Sequence, residues 1–336
     1  MGSVKDLIIF KEPKEKIGKG VFVFSDRFSV FDYGIMPDSI PDKGKSLCIS
    51  TAYFFEKLES VGIKNHYEGL IENGKLKRLN ELENAVEKMQ IKLVRVIKPK
   101  KKVVSSYDYS IFKTLRSNYL LPLEVIYRNF VSENSSLVRR LKEGKVRPQD
   151  YGLSEIKPNQ RLEKPIVEFS TKLEDVDRYI SGEEAKEISG ISDFELEELK
   201  NITLKVNRVI TREVERLKLE NEDGKIEFAF DDNRELMVVD SVGTLDECRF
   251  SFGGIEVSKE ILRKYYRRTN WYRKLVRFKG QENWRDLVGS PPRLFSEFKN
   301  AIADLYRAFS NELVGIKFFD TPPLKDAIRK ICEVLE

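Results

Sequence analysis

Residues that build disulfide frameworks and metal centres are scarce in this sequence. The 336 residues include only three cysteines, Cys48, Cys248 and Cys332, and one histidine, His66. The cysteines are far apart and lack Cys-x-x-Cys spacing, so neither a disulfide framework nor a zinc site is predicted. One histidine excludes a centre with two imidazole ligands, and its place just after a helical pattern predicts a surface or helix-end position. The composition fits a reducing compartment, and we expect the cytoplasm.

Long hydrophobic runs and glycine-rich phosphate loops are also missing. No apolar stretch approaches the roughly 20 residues needed to cross a bilayer, so we expect no membrane partner. The 60 Lys and Arg against 55 Asp and Glu leave a formal net charge of +5, which is too weak to indicate a nucleic-acid partner. Neither Gly-x-Gly-x-x-Gly nor the Walker phosphate loop occurs, which removes the main support for Rossmann and P-loop folds.

The length and the hydrophobic content of 40% predict two packed lobes with a cleft between them. Residues 7–10 and 21–24 are short apolar strands separated by a turn, which is typical of a hairpin. Residues 50–60 carry apolar side chains at helical spacing, and residues 91–97 are rich in β-branched residues, as in a strand. We therefore predict a β-rich amino-terminal lobe with one helix over residues 1–98.

The rest of the chain, residues 99–336, alternates strand and helix patterns. The predicted elements are strands at 123–131, 225–230 and 236–239, helices at 135–142 and 193–217, and mostly helices after residue 259. No internal repeat occurs. The predicted fold is α+β, with antiparallel or mixed sheets in two lobes and a nucleotide cleft between them.

The most basic segment is the run KPKKK at residues 98–102. We interpret it as a solvated linker or insertion. The alternative is an anion-binding patch, which together with Tyr107 and Tyr109 would serve an RNA-binding protein. That function predicts an affinity that falls steeply with salt, so an affinity that stays flat would count against it.

Charged residues follow the first two strands. Lys14 and Lys16 lie in the turn of the hairpin, where they could hold ammonium groups over a triphosphate, although exposed turn lysines are often only solvated. The stretch SDRFSVFD at residues 25–32 directly follows the second strand and is itself followed by IPDKG at residues 40–44. A strand end would deliver its Asp and Arg into a cleft, and the glycine would let backbone approach a ligand.

Two further clusters suit anions and metal-bound nucleotides. Arg128 offers a fork for phosphate or carboxylate, and the serines at 135 and 136 precede a helix, where backbone amides bind anions; the alternative is an N-cap serine plus a surface arginine. Lys225 and Glu227 share one face of a strand, and Asp240 can meet them from the neighbouring strand. Carboxylates of this kind bind Mg²⁺ beside phosphates. An exposed cross-strand ion pair is the alternative.

These blocks together resemble the phosphoribosylaminoimidazole-succinocarboxamide synthase (SAICAR synthetase) family. Residues 26–32 match its Asp-Arg-x-Ser-x-[Phe/Tyr]-Asp signature, residues 40–44 match Ile-Pro-x-Lys-Gly, and residues 122–128 match Pro-Leu-Glu-Val-x-x-Arg. Lys172 and Asp177 resemble the family's Thr-Lys element and its following loop aspartate. The agreement covers roughly residues 7–272 and leaves some 60 carboxy-terminal residues without a counterpart.

The resemblance implies an ATP-dependent carbon–nitrogen ligase of de novo purine biosynthesis. It would join 5-amino-1-(5-phosphoribosyl)imidazole-4-carboxylate, the carboxyaminoimidazole ribotide, to L-aspartate and form SAICAR, ADP and phosphate through an acyl phosphate. ATP and Mg²⁺ are the implied cofactors, the partners are these small-molecule substrates, and a homo-oligomer is left open. An altered paralogue that binds nucleotide without this turnover is the alternative.

The resemblance also implies residue roles. The implied catalytic residues are Lys225, Asp246 and Arg249. The implied nucleotide-binding residues are Lys14, Lys16, Glu124, Glu227 and Asp240, of which Glu227 and Asp240 would also bind the metal. The implied substrate-binding residues are Asp26, Arg27, Asp32, Lys43, Gly44, Arg128, Ser136, Lys172, Asp177 and Arg263. The chain departs from the family pattern at Pro13, Ser135, Ser241 and Leu245, where the family has Gly, Gly, Glu and Pro.

Overall fold

The amino-terminal part of the chain folds as an antiparallel five-stranded sheet with strand order β1-β2-β5-β3-β4. A computed structural model describes residues 4–103, 106–133 and 135–335. The strands of the first sheet are β1 (Lys5–Lys11), β2 (Gly18–Phe24), β3 (Tyr67–Glu72), β4 (Lys75–Lys77) and β5 (Lys88–Leu93). The predicted first hairpin is confirmed, because β1 and β2 pair in antiparallel register with Leu7 opposite Phe22.

Helix α1 (Lys43–Ser60) begins seven residues before the predicted start at residue 50. Its first half is buried on most sides, and the buried positions include the polar residues Lys43, Ser46 and Ser50. These polar residues interrupt the apolar period on which the prediction depended. Gly44 lets the helix start against strand β2, because a Cβ there would lie 2.8 Å from the Phe24 carbonyl oxygen.

The second sheet is also antiparallel and has strand order β10-β9-β8-β11-β13-β14, with β12 paired to β11. Its strands are β8 (Tyr119–Val131), β9 (Gln160–Thr171), β10 (Tyr179–Ile180), β11 (Glu220–Phe230), β12 (Leu236–Val239), β13 (Cys248–Phe252) and β14 (Ile255–Glu256). The basic run that we interpret as a solvated linker or insertion forms part of a separate two-stranded ribbon, β6 (Lys100–Val103) with β7 (Ser106–Asp108).

The remaining helices include the predicted long amphipathic one. They are α2 (Ser136–Lys142), α3 (Gly182–Ser189), α4 (Asp193–Glu215), α5 (Glu260–Arg267), α6 (Asn270–Phe278), α7 (Trp284–Val288), α8 (Ser296–Val314) and α9 (Leu324–Leu335). Helix α4 starts where predicted because Ser192 and Glu195 form a capping box, which satisfies the first free backbone amides. The helical carboxy-terminal region is confirmed.

Both sheets share one continuous hydrophobic core that extends from Phe24 to Ile331. Backbone bridges join the sheets where Asn65 pairs with Val238 and where Arg95 pairs with Tyr119. Helix α8 packs against α1, so the carboxy-terminal and amino-terminal parts of the chain are in contact. The boundary between two lobes near residue 98 stays a prediction. Among the described residues, none of the helices has the length and apolar character needed to span a bilayer.

The histidine expectation is wrong. His66 is only 3% exposed, and its ring packs against Phe22 and Phe55. Burial lowers its pKa from 6.5 to about 3. The helical pattern before it does end, but the chain then turns inward beneath the end of strand β12, where His66 Nε2 lies 3.3 Å from the Asp240 carbonyl oxygen.

Candidate active site

A cluster of lysines and carboxylates lies on the face of the second sheet where strands β8, β9 and β11 meet. Glu227 and Glu124 are directly opposite each other in the β8–β11 register, so their side chains share that face. Lys225 Nζ lies 2.8 Å from Glu227, 3.2 Å from Glu124 and 3.2 Å from Glu247. Lys172, just after β9, donates to the same Glu227 oxygen at 2.7 Å. We call these five residues the lysine–carboxylate cluster.

The charges in this cluster stabilise one another. Burial alone would lower the pKa of Lys225, but Glu227, Glu247 and Glu124 raise it well above its ordinary value. Glu227 has only 6% of its side chain exposed, so the alternative of an exposed cross-strand ion pair is wrong. A partly buried ammonium that stays charged among carboxylates can exchange them for phosphate oxygens without losing its own charge.

Asp240 ends strand β12 beside this cluster and is held by a residue that the sequence did not reveal. Lys5 Nζ, at the start of β1, lies 2.7 Å from Asp240 and 2.8 Å from the Ser241 hydroxyl. The same ammonium group lies 4.6 Å from the centre of the Phe22 ring. Burial would raise the pKa of Asp240, but Lys5, Lys225 and Lys172 lower it below its ordinary range. Asp240 is therefore an ionised carboxylate between two sheets.

The hairpin that carries Lys14 and Lys16 reaches across to the second sheet. Asn118 donates to the Lys14 carbonyl oxygen at 3.2 Å, and the Ile17 amide donates to Asp232 at 2.8 Å. The side chains of both lysines are exposed. Lys5 of the same hairpin contacts Asp240, so the start of the hairpin lies next to this carboxylate.

Helix α1 starts with Lys43 and Gly44, and Asp26 binds the backbone at this start. Asp26 accepts hydrogen bonds from the Gly44 amide at 3.0 Å and the Asp42 amide at 3.3 Å. Lys43 is fully buried and forms an ion pair of 2.8 Å with Asp246, whose side chain is 4% exposed. The backbone that Gly44 approaches is thus the chain's own strand β2, and Lys43 and Asp246 are bonded to each other.

Arg27 lies on the other side of this strand end and forms an ion pair of 2.9 Å with Asp6.

Arg128 is the centre of a buried network. Its guanidinium donates to Glu168 at 2.5 Å, Asp223 at 2.7 Å, Ser136 at 2.9 Å and Tyr179 at 3.0 Å. The side chain is 1% exposed, so the alternative of a surface arginine is wrong. The serine part of that alternative fits the neighbouring position, because Ser135 caps helix α2 through its hydroxyl. Arg128 holds strands β8, β9 and β11 to the start of α2.

An arginine pocket of about 600 Å³ opens beside this network. Its floor is the Glu260 carboxylate, which is 1% exposed and is contacted by Arg263 at 2.9 Å and Arg267 at 2.5 Å. Arg249 lies 4.0 Å from Glu260 and donates to Asp223 at 2.6 Å. Burial would lower the pKa of Arg249, but Asp223 and Glu260 raise it. Three guanidinium groups around one carboxylate leave excess positive charge, which favours a phosphate or carboxylate ligand.

Other residues of the predicted set line this pocket or the cleft next to it. Asp32 and Ser136 line the arginine pocket, and Asp32 forms an ion pair of 2.8 Å with Lys279. Asp177 lines an adjoining cavity of about 940 Å³. Burial, together with the charge of Glu124, raises the pKa of Asp177 from 3.8 to about 7. The structure thus brings Asp177 into the field of the lysine–carboxylate cluster, although the sequence separates them.

The carboxylates of this site suit a hard cation whose coordination is completed by oxygen atoms of another ligand. Glu227, Asp240 and Glu124 supply only oxygen donors, which is what Mg²⁺ requires. Over residues 4–103, 106–133 and 135–335, no group of three or more His, Cys, Asp and Glu side chains is arranged to hold a metal ion alone. Any Mg²⁺ here would need oxygen ligands from a nucleotide or water as well.

The residues of the RNA-binding alternative are occupied by contacts within the protein. Tyr109 is buried and donates to Glu174 at 2.6 Å, and the Tyr107 hydroxyl accepts from the Asp175 amide at 2.8 Å. Lys101 pairs with Asp175 at 2.5 Å. The buried Tyr109 ring does not present a face for base stacking.

Similarity to solved structures defines the class of protein. The SAICAR synthase of Saccharomyces cerevisiae, solved with SAICAR, superposes with a TM-score of 0.63 at 23% identity and covers 95% of each chain. A type-2 SAICAR synthetase in complex with ADP gives a TM-score of 0.57 at 22% identity, covering 88% of this chain and 99% of that chain. At these identities the likeness establishes the fold, an α+β SAICAR-synthetase fold.

Sequence similarity establishes the family. The SAICAR synthetase family model matches residues 1–277. A protein of Archaeoglobus fulgidus, provisionally named phosphoribosylaminoimidazole-succinocarboxamide synthase, is 62% identical over the full length of both chains. The synthase of Thermoplasma volcanium is 36% identical over 310 residues, which is 89% of this chain and 94% of the relative. The chain belongs to the SAICAR synthetase family and is a ligase of purine biosynthesis.

Proposed function

We propose that this chain joins the carboxyaminoimidazole ribotide to L-aspartate at the expense of ATP. The observation that carries this proposal is the proximity of two unlike sites, the lysine–carboxylate cluster and the arginine pocket. Asp223 links them, because it accepts hydrogen bonds from Arg128 and Arg249 and lies two residues before Lys225 in strand β11. A ligase of this type needs a polyphosphate site and a second anion site side by side.

In this proposal the nucleotide binds beneath the first hairpin. Lys14 and Lys16 lie over the phosphates, and Lys225 neutralises charge at the phosphate that is transferred. Glu227 and Asp240 would hold Mg²⁺, which supplies charge neutralisation at the phosphate oxygens when bound. The ADP complex of a protein with this fold supports a nucleotide site of this kind.

The ribotide phosphate binds in the arginine pocket. Arg249 and Arg263 supply guanidinium forks, and Ser136 supplies a hydroxyl at the start of helix α2. Arg128 acts by holding Ser136. This arrangement directs the imidazole carboxylate toward the lysine–carboxylate cluster, where the transferable phosphate would lie.

L-Aspartate binds next to the cluster. Its ammonium group suits Asp177 and Glu124, and its carboxylates suit Lys172 and the cationic edge of the arginine pocket. Asp32 lies at that edge with its side chain 87% exposed, so it can contact a substrate without breaking a buried interaction. Binding the amine close to the activated carboxyl group turns a bimolecular step into an intramolecular one.

Two displacements complete the reaction. First, a ribotide carboxylate oxygen attacks the γ-phosphorus of ATP, the bond to the bridging oxygen breaks, and ADP leaves with that electron pair. The aspartate amine then attacks the acyl carbon, the carbon–oxygen bond to phosphate breaks, and the amine nitrogen loses a proton. The protein positions the reactants and neutralises their charge.

Release of ADP with each substrate omitted in turn tests this proposal. We expect ADP release only when the ribotide, L-aspartate and Mg²⁺-ATP are all present, with SAICAR formed in equal amount. ADP release that ignores aspartate would contradict the ligase reaction. Nucleotide binding without any turnover would favour the altered paralogue instead.

A further inference from the structure

The carboxy-terminal segment after residue 277 lies beyond the residues that the family model matches, yet it is built into the core. Helix α8 buries Phe298, Leu305, Tyr306 and Phe309. The Phe309 ring stacks on Phe250 of strand β13, with 5.7 Å between the ring centres. The segment is therefore an integral part of the folded protein and lies directly behind the strand that carries Arg249.

Tyr306 of this segment contacts two residues implied in the site. Its hydroxyl donates to Asp246 Oδ1 at 2.6 Å, while Asp246 Oδ2 accepts from Lys43 at 2.8 Å. The Lys43 ammonium also lies 5.3 Å from the centre of the Tyr306 ring. All three side chains are buried, so these contacts are made without competition from water. Each oxygen of the Asp246 carboxylate thus has its own donor.

Asp246 lies in a tight turn that leads to two residues near the proposed reactants. The Thr244 carbonyl oxygen accepts hydrogen bonds from the Glu247 amide at 3.2 Å and the Cys248 amide at 2.9 Å. Glu247 contacts Lys225 at 3.2 Å, and Arg249 lines the arginine pocket. The turn that contains Asp246 therefore presents both groups.

A neighbouring contact ties helix α8 to the start of helix α1. Arg307 donates from Nε to Asp42 at 2.9 Å, and its Nη2 lies 2.7 Å from the same oxygen. Asp42 has a left-handed backbone with φ of 60° and precedes Lys43. Adjacent residues of α8 thus hold both partners of the Lys43–Asp246 pair in place.

We propose that Tyr306 is a positioning residue for the ligase reaction. Its hydroxyl holds Asp246, and Asp246 holds the turn that brings Glu247 to Lys225 and Arg249 to the arginine pocket. Tyr306 does not contact substrate. This inference rests on the proposed function, and it extends the site to a segment beyond the residues that the family model matches.

The test is Tyr306→Phe, which keeps the ring on Lys43 and removes only the hydroxyl. We expect kcat/KM for the ribotide to fall by about ten-fold or more, as for loss of a hydrogen bond to a buried charge. ADP affinity should not change, because the turn acts through Lys225 at the transferred phosphate, which ADP lacks. Backbone amides of residues 244–249 should exchange with deuterium faster than in the wild type.

Tyr265→Phe is the matched control. Among the residues that the structure describes, its hydroxyl bonds only to the Arg293 carbonyl oxygen, at 3.4 Å, so neither kinetics nor exchange in residues 244–249 should change. Wild-type kcat/KM in Tyr306→Phe would overturn the proposal, even if exchange rises. A wild-type chain that forms no SAICAR would overturn the proposed function itself. In that case, unchanged deuterium exchange of residues 244–249 in Tyr306→Phe would separately overturn the positioning role.

Discussion

Arg249 lines the arginine pocket and also donates a hydrogen bond to Asp223, the carboxylate that links the two sites. It donates to Asp223 at 2.6 Å, and its side chain is 20% exposed. Lysine has one ammonium group in place of the planar fork, so Arg249→Lys cannot keep Asp223 and a substrate anion together. We expect a loss on the order of 2 kcal/mol or more in transition-state stabilisation, with nucleotide affinity preserved.

Arg139→Lys provides the control for that prediction. Arg139 lines the same pocket but is 70% exposed, so its replacement should have little effect. Steady-state rates for the ribotide and aspartate, measured with ADP affinity, check both variants. If Arg249→Lys keeps the wild-type kcat/KM for both substrates, Arg249 has only a structural role.

Glu256 gives the molecule a pH dependence that can be isolated. Burial raises its pKa from 4.5 to about 7, and the nearby Glu222 and Glu260 add to the shift while Ser258 and Arg249 oppose it. A carboxyl group with a raised folded-state pKa stabilises the fold fully below about 4.5, and this stabilisation is lost as the pH rises through about 7. Glu256→Gln, which resembles the neutral acid, should therefore gain stability relative to the wild type across this range.

Urea unfolding at several pH values, followed by the fluorescence of Trp271 and Trp284, measures that gain. The difference between variant and wild type should increase from pH 4.5 to 7 and then level off. A difference that stays constant with pH would mean that Glu256 titrates normally in the folded protein.

Site residues that a local sequence pattern places together were predictable. Site residues that meet only through contacts between distant parts of the chain were not. Lys225 and Glu227 follow from strand alternation, which needs only two positions in the sequence. Lys5 binds Ser241 across a separation of 236 residues, and no periodicity encodes such a contact. The family departure at Ser241 was the available signal, because it places a hydroxyl where Lys5 donates.

At the scale of elements, the junction of β2 and α1 depends on a missing side chain. An added Cβ at Gly44 would lie 2.8 Å from the Phe24 carbonyl oxygen and 2.8 Å from the Ser25 carbonyl carbon. Since neither backbone can yield cheaply, Gly44→Ala should destabilise the fold by about 1–3 kcal/mol. Urea unfolding compared with the wild type measures this loss.

Gly182→Ala is a matched control for that junction. Gly182 also lies in the first turn of a helix, α3, but its added Cβ would lie 3.6 Å from Leu196 Cδ2 and 4.0 Å from Phe169 Cε2, which is ordinary contact. It should be neutral or slightly stabilising. Equal stability of the two variants would show that the Gly44 junction is not tightly packed.

The sequence predicted elements whose apolar period is regular and missed the limits of those that are buried all round. Helix α4 has one buried face and was found. Strand β11 is buried along most of its length, and its predicted start at residue 225 lies five residues after the observed start at Glu220. Helix α1 was placed too short because buried polar residues such as Lys43 and Thr51 break its pattern. Capping and periodicity are local properties, whereas burial of a polar residue depends on partners elsewhere in the chain.

At the scale of the whole molecule, an α+β fold and helical carboxy-terminal residues were predictable, but the place of those helices in the fold was not. Helix α8 packs on α1 and holds Asp246, just before strand β13 of the second sheet. Composition and length predict how many layers a chain can form, but they do not determine which layer a terminal segment joins. The candidate active site is therefore built from three parts of the chain: the amino-terminal residues, the second sheet and the carboxy-terminal helices.

The fate of the ribotide's carboxylate oxygen atoms tests most directly whether this carboxylate attacks ATP. The ribotide labelled with ¹⁸O at both carboxylate oxygens would be turned over with L-aspartate and Mg²⁺-ATP, and the phosphate released would be analysed by mass spectrometry. An acyl phosphate predicts one ¹⁸O atom in each phosphate and the other in the SAICAR amide. Unlabelled phosphate released together with SAICAR would contradict the account.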